Sequence, residues 1–551
     1  MTTKVNTIKI YIVAAVMATG LQTFAQDTLR TDVVDVVKAF KPILSESIKI
    51  QSNPNPEIPE TKVPVFSYDV PEKRMDGQPT LYTIKPLSLG TSLLPKLKNN
   101  YTKIGYGNYN SPLFETYLNT TRNKNLQAGL FVKHLSFNPS GERQFSNNTV
   151  YAFGKRFLGS GILSADAMYY RNVVNLYGYE FNPPMTLAAA APNNNIKQKF
   201  QTVEAKIAYQ NILKDTSKFS YKMDGGFYNF SDDRDASEKD FKVYGTFGKR
   251  INGNPLDVKA GVNVTNLKAG ALDYTRSFVD VNPRYKLNMD QLSINLGFNS
   301  TFFNDSNKTT FYFFPVAEAG LNLIKNSLTV YVGITGNLQR NTYRSIANEN
   351  PFVRSIGLNN TINSFELYGG FKGIISPQTS FLLNASLANI QNLLFYVGDS
   401  SNLYSQKVVF DTRSSSVFNF KVELNHEFGN QFTMGFVMNY YSYSISLPAP
   451  YSRPTFTTQL NLGYNMGDKF LWRASVYTMN KRVGGVILSD GLITETTLKG
   501  LVDLNLGLDY RYTKNISLFV NLNNLANNQY QRWVNLPVYG FNIMGGLTVS
   551  F

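Results

Sequence analysis

Phe541-Asn542-Ile543-Met544-Gly545-Gly546-Leu547-Thr548-Val549-Ser550-Phe551 is the stretch that decides the fold. Read as a strand, it places Phe541, Ile543, Leu547, Val549 and Phe551 on one face and Asn542, Gly546, Thr548 and Ser550 on the other. A strand apolar on one side and polar on the other, ending on an aromatic residue, is how outer-membrane β-barrels close. The apolar side then faces lipid and the polar side a wet lumen.

The same alternation recurs upstream. Val502, Leu504, Leu506, Leu508, Tyr510 and Tyr512 oppose Asp503, Asn505, Gly507, Asp509 and Arg511. Ile516, Leu518, Val520 and Leu522 oppose Ser517, Asn521 and Asn523. Leu292, Ile294, Leu296 and Phe298 oppose Ser293, Asn295, Gly297 and Asn299, and Phe418, Phe420, Val422 and Leu424 oppose Asn419, Lys421, Glu423 and Asn425. Charges such as Asp503 and Arg511 are tolerable on a spanning strand only where that face meets water.

Connections come in two kinds. Short turns are expected at Gly159-Ser160-Gly161, Asn252-Gly253-Asn254, Lys325-Asn326, Gly429-Asn430, Gly467-Asp468 and Thr513-Lys514-Asn515, and longer loops near 176–197, 341–362, 398–412, 480–497 and 525–538. Short periplasmic turns and long external loops are the barrel rule. Strands assigned alternately up and down between them number about 22, from near Thr102 to Phe551, or about 20 residues for each strand with its connection. The fold class is therefore all-β: a closed antiparallel transmembrane β-barrel over residues 101–551. Its last strand should pair with the one that starts near Thr102.

Composition agrees. Mean hydropathy is −0.22, which alone would suggest a soluble chain, but a barrel dilutes each lipid-facing residue with a lumenal one. The 34 Tyr and 39 Phe can supply aromatic girdles at both membrane interfaces. Without cysteine, neither disulfides nor a thiolate metal site can form. Lys4 and Lys9 flank the start of a short apolar run, Ile10 to Leu21, and Thr23-Phe24-Ala25 precedes Gln26. That is a secretory signal over residues 1–25, and the run is too short for a membrane helix. Net charge is +16, which for an exported chain points away from nucleic acid. It suits a cation-rich lumen, or rim cations touching anionic headgroups.

Residues 26–100 read differently. Pro42, Pro54, Pro56, Pro59, Pro64, Pro71, Pro79, Pro86 and Pro95 are nine of the chain's 23 prolines. They forbid helices and central strands, so an extended proline-rich arm without its own core is expected.

The sequence from 500 to 551 resembles the end of TonB-dependent outer-membrane receptors of the Bacteroidetes type. The residues that carry this are Tyr510-Arg511-Tyr512, Leu518-Phe519-Val520-Asn521-Leu522-Asn523-Asn524-Leu525, Tyr530, Trp533, Pro537, Gly540, Gly546 and Phe551. The resemblance implies a 22-stranded barrel with an amino-terminal plug, energised through a TonB box. The arm is too short and too proline-broken for such a plug. Thr31-Asp32-Val33-Val34-Asp35-Val36-Val37 looks loosely like the box, and Val33, Val34, Val36 and Val37 could add as a strand to a periplasmic partner.

No enzyme is legible. His134 and His426 are the only histidines, and both are expected on the outer wall rather than in a cleft where a general base is needed. Asp232, Asp233, Asp235, Glu238 and Asp240 read as a solvated external loop, lacking the glycine and terminal glutamate of a calcium loop. Tyr169-Tyr170-Arg171 and Tyr440-Tyr441-Ser442-Tyr443 read as girdle residues. No cofactor or metal is expected. The expected partners are outer-membrane lipid and other outer-membrane or periplasmic proteins. Two functions compete: a scaffold subunit of an outer-membrane machine, or a solute channel or receptor occluded by its arm or a partner.

Overall fold

In lipid no strand can leave a backbone edge unpaired, so a run of period-two segments must close on itself. The computed structural model describes residues 100–120, 123–139, 143–175, 197–213, 218–305, 308–354, 357–401 and 405–551. The signal, the proline-rich arm and the Thr31–Val37 stretch with Val33, Val34, Val36 and Val37 lie outside the described residues, as does nearly all of the 176–197 connection.

Twenty-two antiparallel strands form one closed sheet, from Tyr101–Gly107 to Asn542–Ser550. The seam sets Tyr101 opposite Ser550 and Gly107 opposite Met544. Asn100 and Phe551 extend it by exchanging backbone bonds of 3.2 and 3.0 Å. This is the closure expected from the last eleven residues. Strands about 4.8 Å apart and tilted about 40° make a ring on the order of 40 Å across.

The seam needs glycine. Gly105 and Gly546 face each other across it, and the fully buried ring of Phe519 from the next strand lies over both. A Cβ on either residue would collide with that ring. Lys103 sits above the same ring, 3.9 Å from its centre.

The tight turns match their sequences. Asn252 (φ 50°) and Gly253 (φ 80°), and Gly467 (φ 60°) and Asp468 (φ 57°), put two consecutive residues in the left-handed region. Such turns carry the twist of the flanking strands, and Asn, Gly and Asp adopt them at little cost. Strand phase also follows the pattern. Val502, Leu506, Leu518 and Val520 stand exposed on the outer wall, while Asp503, Phe519, Asn521 and Asn523 are buried inward. Inward charges pair across strands, as in Arg473–Asp509 at 2.5 Å and Lys133–Glu115 at 3.3 Å.

The external connections hold more structure than their loop-like sequences suggest. Residues 341–362 contain the helix Tyr343–Glu349. Residues 398–412 and 480–497 contribute to a second sheet of four strands, Leu393–Asp399, Gln406–Asp411, Arg482–Ile487 and Ile493–Leu498. Within 525–538 a short hairpin joins Gln531–Trp533 to Leu536–Pro537. Each hairpin forms within one loop, but the two hairpins of the four-stranded sheet join across loops, Gly398 and Asp399 pairing parallel with Val486 and Ile487, a contact that no pattern along a single loop could reveal.

Candidate functional site at the external mouth

The helix is specified locally. Thr342 caps it: its side chain accepts from the Ser345 N–H at 3.0 Å while the Ser345 hydroxyl accepts from the Thr342 N–H at 2.9 Å. At seven residues it could not persist alone in water. Its stability comes from what it docks against.

Tyr343 and Ala347 insert into a cluster of Phe200, Tyr228, Phe230, Ala236 and Leu267, contributed by the external ends of wall strands between residues 197 and 269. The Tyr343 ring meets Phe230 and Phe200 edge-on at 5.1 and 6.3 Å. Its hydroxyl donates to Asp232 at 2.6 Å, and its backbone N–H donates to Glu238 at 2.7 Å. Tyr228 donates to the other Glu238 oxygen at 2.8 Å. Burial, reinforced by the adjacent Asp232 carboxylate, pushes the Tyr343 phenol well above its ordinary range. It stays protonated, as a donor to carboxylate must.

Arginines frame this docking. Arg344 donates to Glu204 at 2.7 Å and lies 4.4 Å over the Tyr228 ring, and Lys206 takes the second Glu204 oxygen at 2.7 Å. Arg340 pairs with Asp280, receives support from Tyr244 at 2.6 Å, and stacks 4.4 Å over Phe278. Arg276 reaches from the wall to the Asn341 carbonyl at 2.9 Å and to Asn360 at 3.2 Å. Farther along the same segment, burial and the neighbouring Arg234 push the Arg354 guanidinium down to about 10. The whole set forms a latch that ties residues 340–360 to the opposing inner wall.

A second cluster carries the closure across the mouth. Val174 at the external end of its strand packs with Ile346, Phe352 and Val353 from one loop, Leu394 and Tyr396 from the next, and Trp533 and Leu536 from the last. Val174 lies on the fifth strand of the ring and Ile346 in the loop that precedes the fourteenth. Contact over that separation requires the loops to fold over the opening. Backbone bonds fasten them to each other: Gln406 N–H to Phe352 O at 2.9 Å, Ser452 N–H to Val483 O at 2.7 Å, and Ser400 N–H to Ile487 O at 3.0 Å. Arg482 caps the Gln531 and Arg532 carbonyls at 2.6 and 2.8 Å. The external mouth is therefore lidded by its own loops.

Several sequence readings change here. Glu238 and Asp240 are not part of a solvated loop; they lie in the strand Ser237–Ile251, buried and facing inward. Glu238 receives the helix, and Asp240 accepts from Asn263 and Thr265 at 2.7 and 2.8 Å. Only Asp233 and Asp235 are exposed at the turn. Of the tyrosine runs, Tyr169 and Tyr440 stand exposed on the outer wall. Tyr170 turns inward to Asn147 at 2.7 Å, and Tyr441 and Tyr443 stack on each other at 6.0 Å on the inner side. Adjacent residues on one strand cannot share a face.

The histidines have no cleft. His134 sits 2.7 Å from Asn148 and 3.3 Å from Ser136, and His426 lies 2.6 Å from Thr379 with Phe428 against its ring at 3.9 Å. Sequence reasoning missed Glu204, Arg276, Asp280, Arg340 and Arg344. Each looked like an ordinary inward or loop charge, and their partners lie 60 to 140 residues away.

No protein-family model and no curated protein matches this sequence. Solved structures do match in shape. The FrpB iron transporter from Neisseria meningitidis superposes with a TM-score of 0.65 at 11% identity, covering 83% of either chain. The pyoverdine outer-membrane receptor FpvA from Pseudomonas aeruginosa gives 0.64 at 12%, covering 83% of this chain and 79% of that one. The ferric-catecholate import receptor Fiu from E. coli K12 gives 0.63 at 12%, covering 84% and 83%. The barrel folds as TonB-dependent receptors do. At these identities the likeness shows the fold alone, and what those proteins carry remains a statement about them; the closed ring of 22 strands with its apolar outer wall is what sets the chain in an outer membrane.

Proposed function

We infer that this chain is a non-enzymatic, receptor-type barrel of the outer membrane that handles a cargo through a mouth kept shut at rest by its own loops. The observation that carries this reading is the latch: Tyr343, Arg340 and Arg344 bound to Glu238, Asp280 and Glu204, with a single apolar cluster spanning the opening. A general diffusion channel has no use for such a lid, whereas a gated receptor requires one. The solved proteins of the same fold, named as receptors and transporters, support the same direction.

A second reading, the scaffold subunit of a multiprotein outer-membrane complex, rests on a separate observation. The strand Ile493–Leu498 is the outer edge of the external sheet, and Thr494 to Thr497 are exposed on both faces. At the tip before it, Leu488 and Leu492 stand in solvent. A free edge beside exposed leucines suits a partner that adds a strand. On the periplasmic side, Val33, Val34, Val36 and Val37 are the proposed contact for an outer-membrane or periplasmic partner.

Two measurements on the purified full chain separate the readings. In planar bilayers a gated receptor stays silent and passes current only when the latch is broken; large steady currents from the unmodified chain overturn the closed-mouth reading. Recovery in mild detergent with stoichiometric partner proteins favours the scaffold, and recovery alone favours the receptor.

A further inference from the structure

The +16 charge could reside in the lumen or on the outside, and the described barrel carries cations on both walls. Along the inner wall some cations meet acids, Lys206 and Arg344 with Glu204, Arg340 with Asp280, Arg473 with Asp509 and Lys133 with Glu115, while others such as Lys222, Lys242 and Lys259 face the lumen without an ion pair to a described residue. The outer wall is different on one arc, the strands between Gly161 and Ala269.

Cross-strand register orders that arc into rows. One row is Ala167, Ala205, Phe227, Phe241 and Val264, an apolar band in which Phe227 and Phe241 are exposed. The next row toward the external rim is Tyr169, Val203, Asn229, Lys239 and Asn266. The row above is Arg171, Gln201, Ser231, Ser237 and Lys268, and Lys199 lies one step beyond Gln201. Each step is two residues, or about 7 Å along a strand. The wall thus passes from bare phenylalanine to lysine and arginine within the depth over which a bilayer passes from chains to headgroups.

Among the described residues, most of these cations have no acidic partner. Lys268 pairs with exposed Asp273 at 2.8 Å, but Arg171, Lys199 and Lys239 make no ion pair with a described residue. The nearby acids Glu204, Glu238 and Asp240 point inward and are occupied. Asp233 and Asp235 lie in the turn beyond the strand ends. Among the other described strands, none carries lysine or arginine on the outward face of its external half. The cations are therefore gathered on one arc rather than spread as a solubilising fringe.

We propose that Arg171, Lys199 and Lys239, with Tyr169 beneath them, form a site on the outer wall for the phosphate groups of a phosphorylated glycolipid in the external leaflet. The apolar rows below take its acyl chains, the lysines meet phosphate as point charges, and the guanidinium offers a planar, bidentate donor pair. The tyrosine ring lies at the interfacial depth where amphipathic rings settle. The site is independent of whether the barrel carries cargo or docks partners.

The test uses the full chain in a neutral detergent, titrated with bis-phosphorylated lipid A and with the same lipid after dephosphorylation. The phosphorylated form should bind more tightly and weaken with salt. Each cation is expected to contribute about fivefold, so Arg171→Gln/Lys199→Gln/Lys239→Gln should lose on the order of a hundredfold. A lumenal control, Lys222→Gln/Lys242→Gln/Lys259→Gln, should bind as the unmodified chain does. Heat-modifiable gel mobility reports folding, and if the outer triple does not fold, Lys199→Gln alone should still lose about fivefold. Equal binding of the two lipid forms, or equal loss from the outer and lumenal triples, would each overturn the site.

Discussion

Tyr343→Ala should release the lid. The side chain is 2% exposed, packs edge-on against Phe230 and Phe200, and donates to Asp232 at 2.6 Å. Truncating a buried aromatic to alanine costs about 3–5 kcal/mol. At about 1.4 kcal/mol per decade, that raises the undocked population of residues 340–360 between a hundred- and a few thousand-fold. Tyr343→Phe keeps the ring and loses only the hydroxyl, leaving one carboxylate oxygen of Asp232 without its donor. That costs about 1–3 kcal/mol, or roughly 5- to 150-fold. The segment supplies its own probe. Arg340 and Arg344 are trypsin sites whose side chains are only 23% and 20% exposed while they hold Asp280 and Glu204. When reclosing outpaces cleavage, the cleavage rate follows the open population. External trypsin on intact cells should therefore cut at Arg340 and Arg344 fastest in the alanine variant, more slowly in the phenylalanine variant and slowest in the parent. Bilayer conductance should likewise be highest in the alanine variant, lower in the phenylalanine variant and lowest in the parent. Equal cleavage in all three, with barrel mobility intact, refutes the latch; faster cleavage of Tyr343→Phe than of Tyr343→Ala refutes the packing argument.

Leu506→Arg should impair assembly far more than Asn505→Arg, because an arginine facing mid-membrane lipid costs about 2–4 kcal/mol and a lumenal one little; heat-modifiable mobility reads the difference, and equal behaviour means the strand phase is wrong. The external sheet should loosen in acid before the barrel does. Burial acts to raise the Asp411 carboxyl, but hydrogen bonds from Ser415 and Ser446 outweigh it and hold the group below its ordinary value. A depressed folded value gives stability that is complete above the unfolded value of about 3.9 and lost as pH falls below it. Protease sensitivity of residues 405–450 should accordingly rise below about pH 4 and not between pH 5 and 8, and Asp411→Asn should abolish that dependence. Removing residues 27–95 should leave the barrel inserted and heat-modifiable, since its seam joins Tyr101 directly to Ser550; a truncated chain that does not fold refutes this division.

The barrel was legible because its determinants are local. A strand between lipid and water must alternate, so Leu506 and Asn505, or Phe519 and Val520, declare their faces by parity alone. Turn chemistry is equally local: Asn252-Gly253 and Gly467-Asp468 reverse the chain because those residues tolerate the left-handed region. Parity also corrects the tyrosine runs, where a run of like residues suggested a shared face that a strand cannot provide. The lid was not legible. Glu238 follows three aspartates in a polar stretch, and nothing nearby indicates that a helix more than a hundred residues later will bury it.

The sequence by itself determined the strand count, the faces, the tight turns and the closure of Phe541–Phe551 onto the strand near Thr102, because period-two patterning and turn propensity act between neighbours. Tertiary structure alone decided that the external loops form a helix and a second sheet, that Glu204, Glu238 and Asp280 receive them, and that unpaired cations gather on one outer arc. Those outcomes depend on which distant strands the closed ring brings face to face, a property of the circle rather than of any segment of the chain.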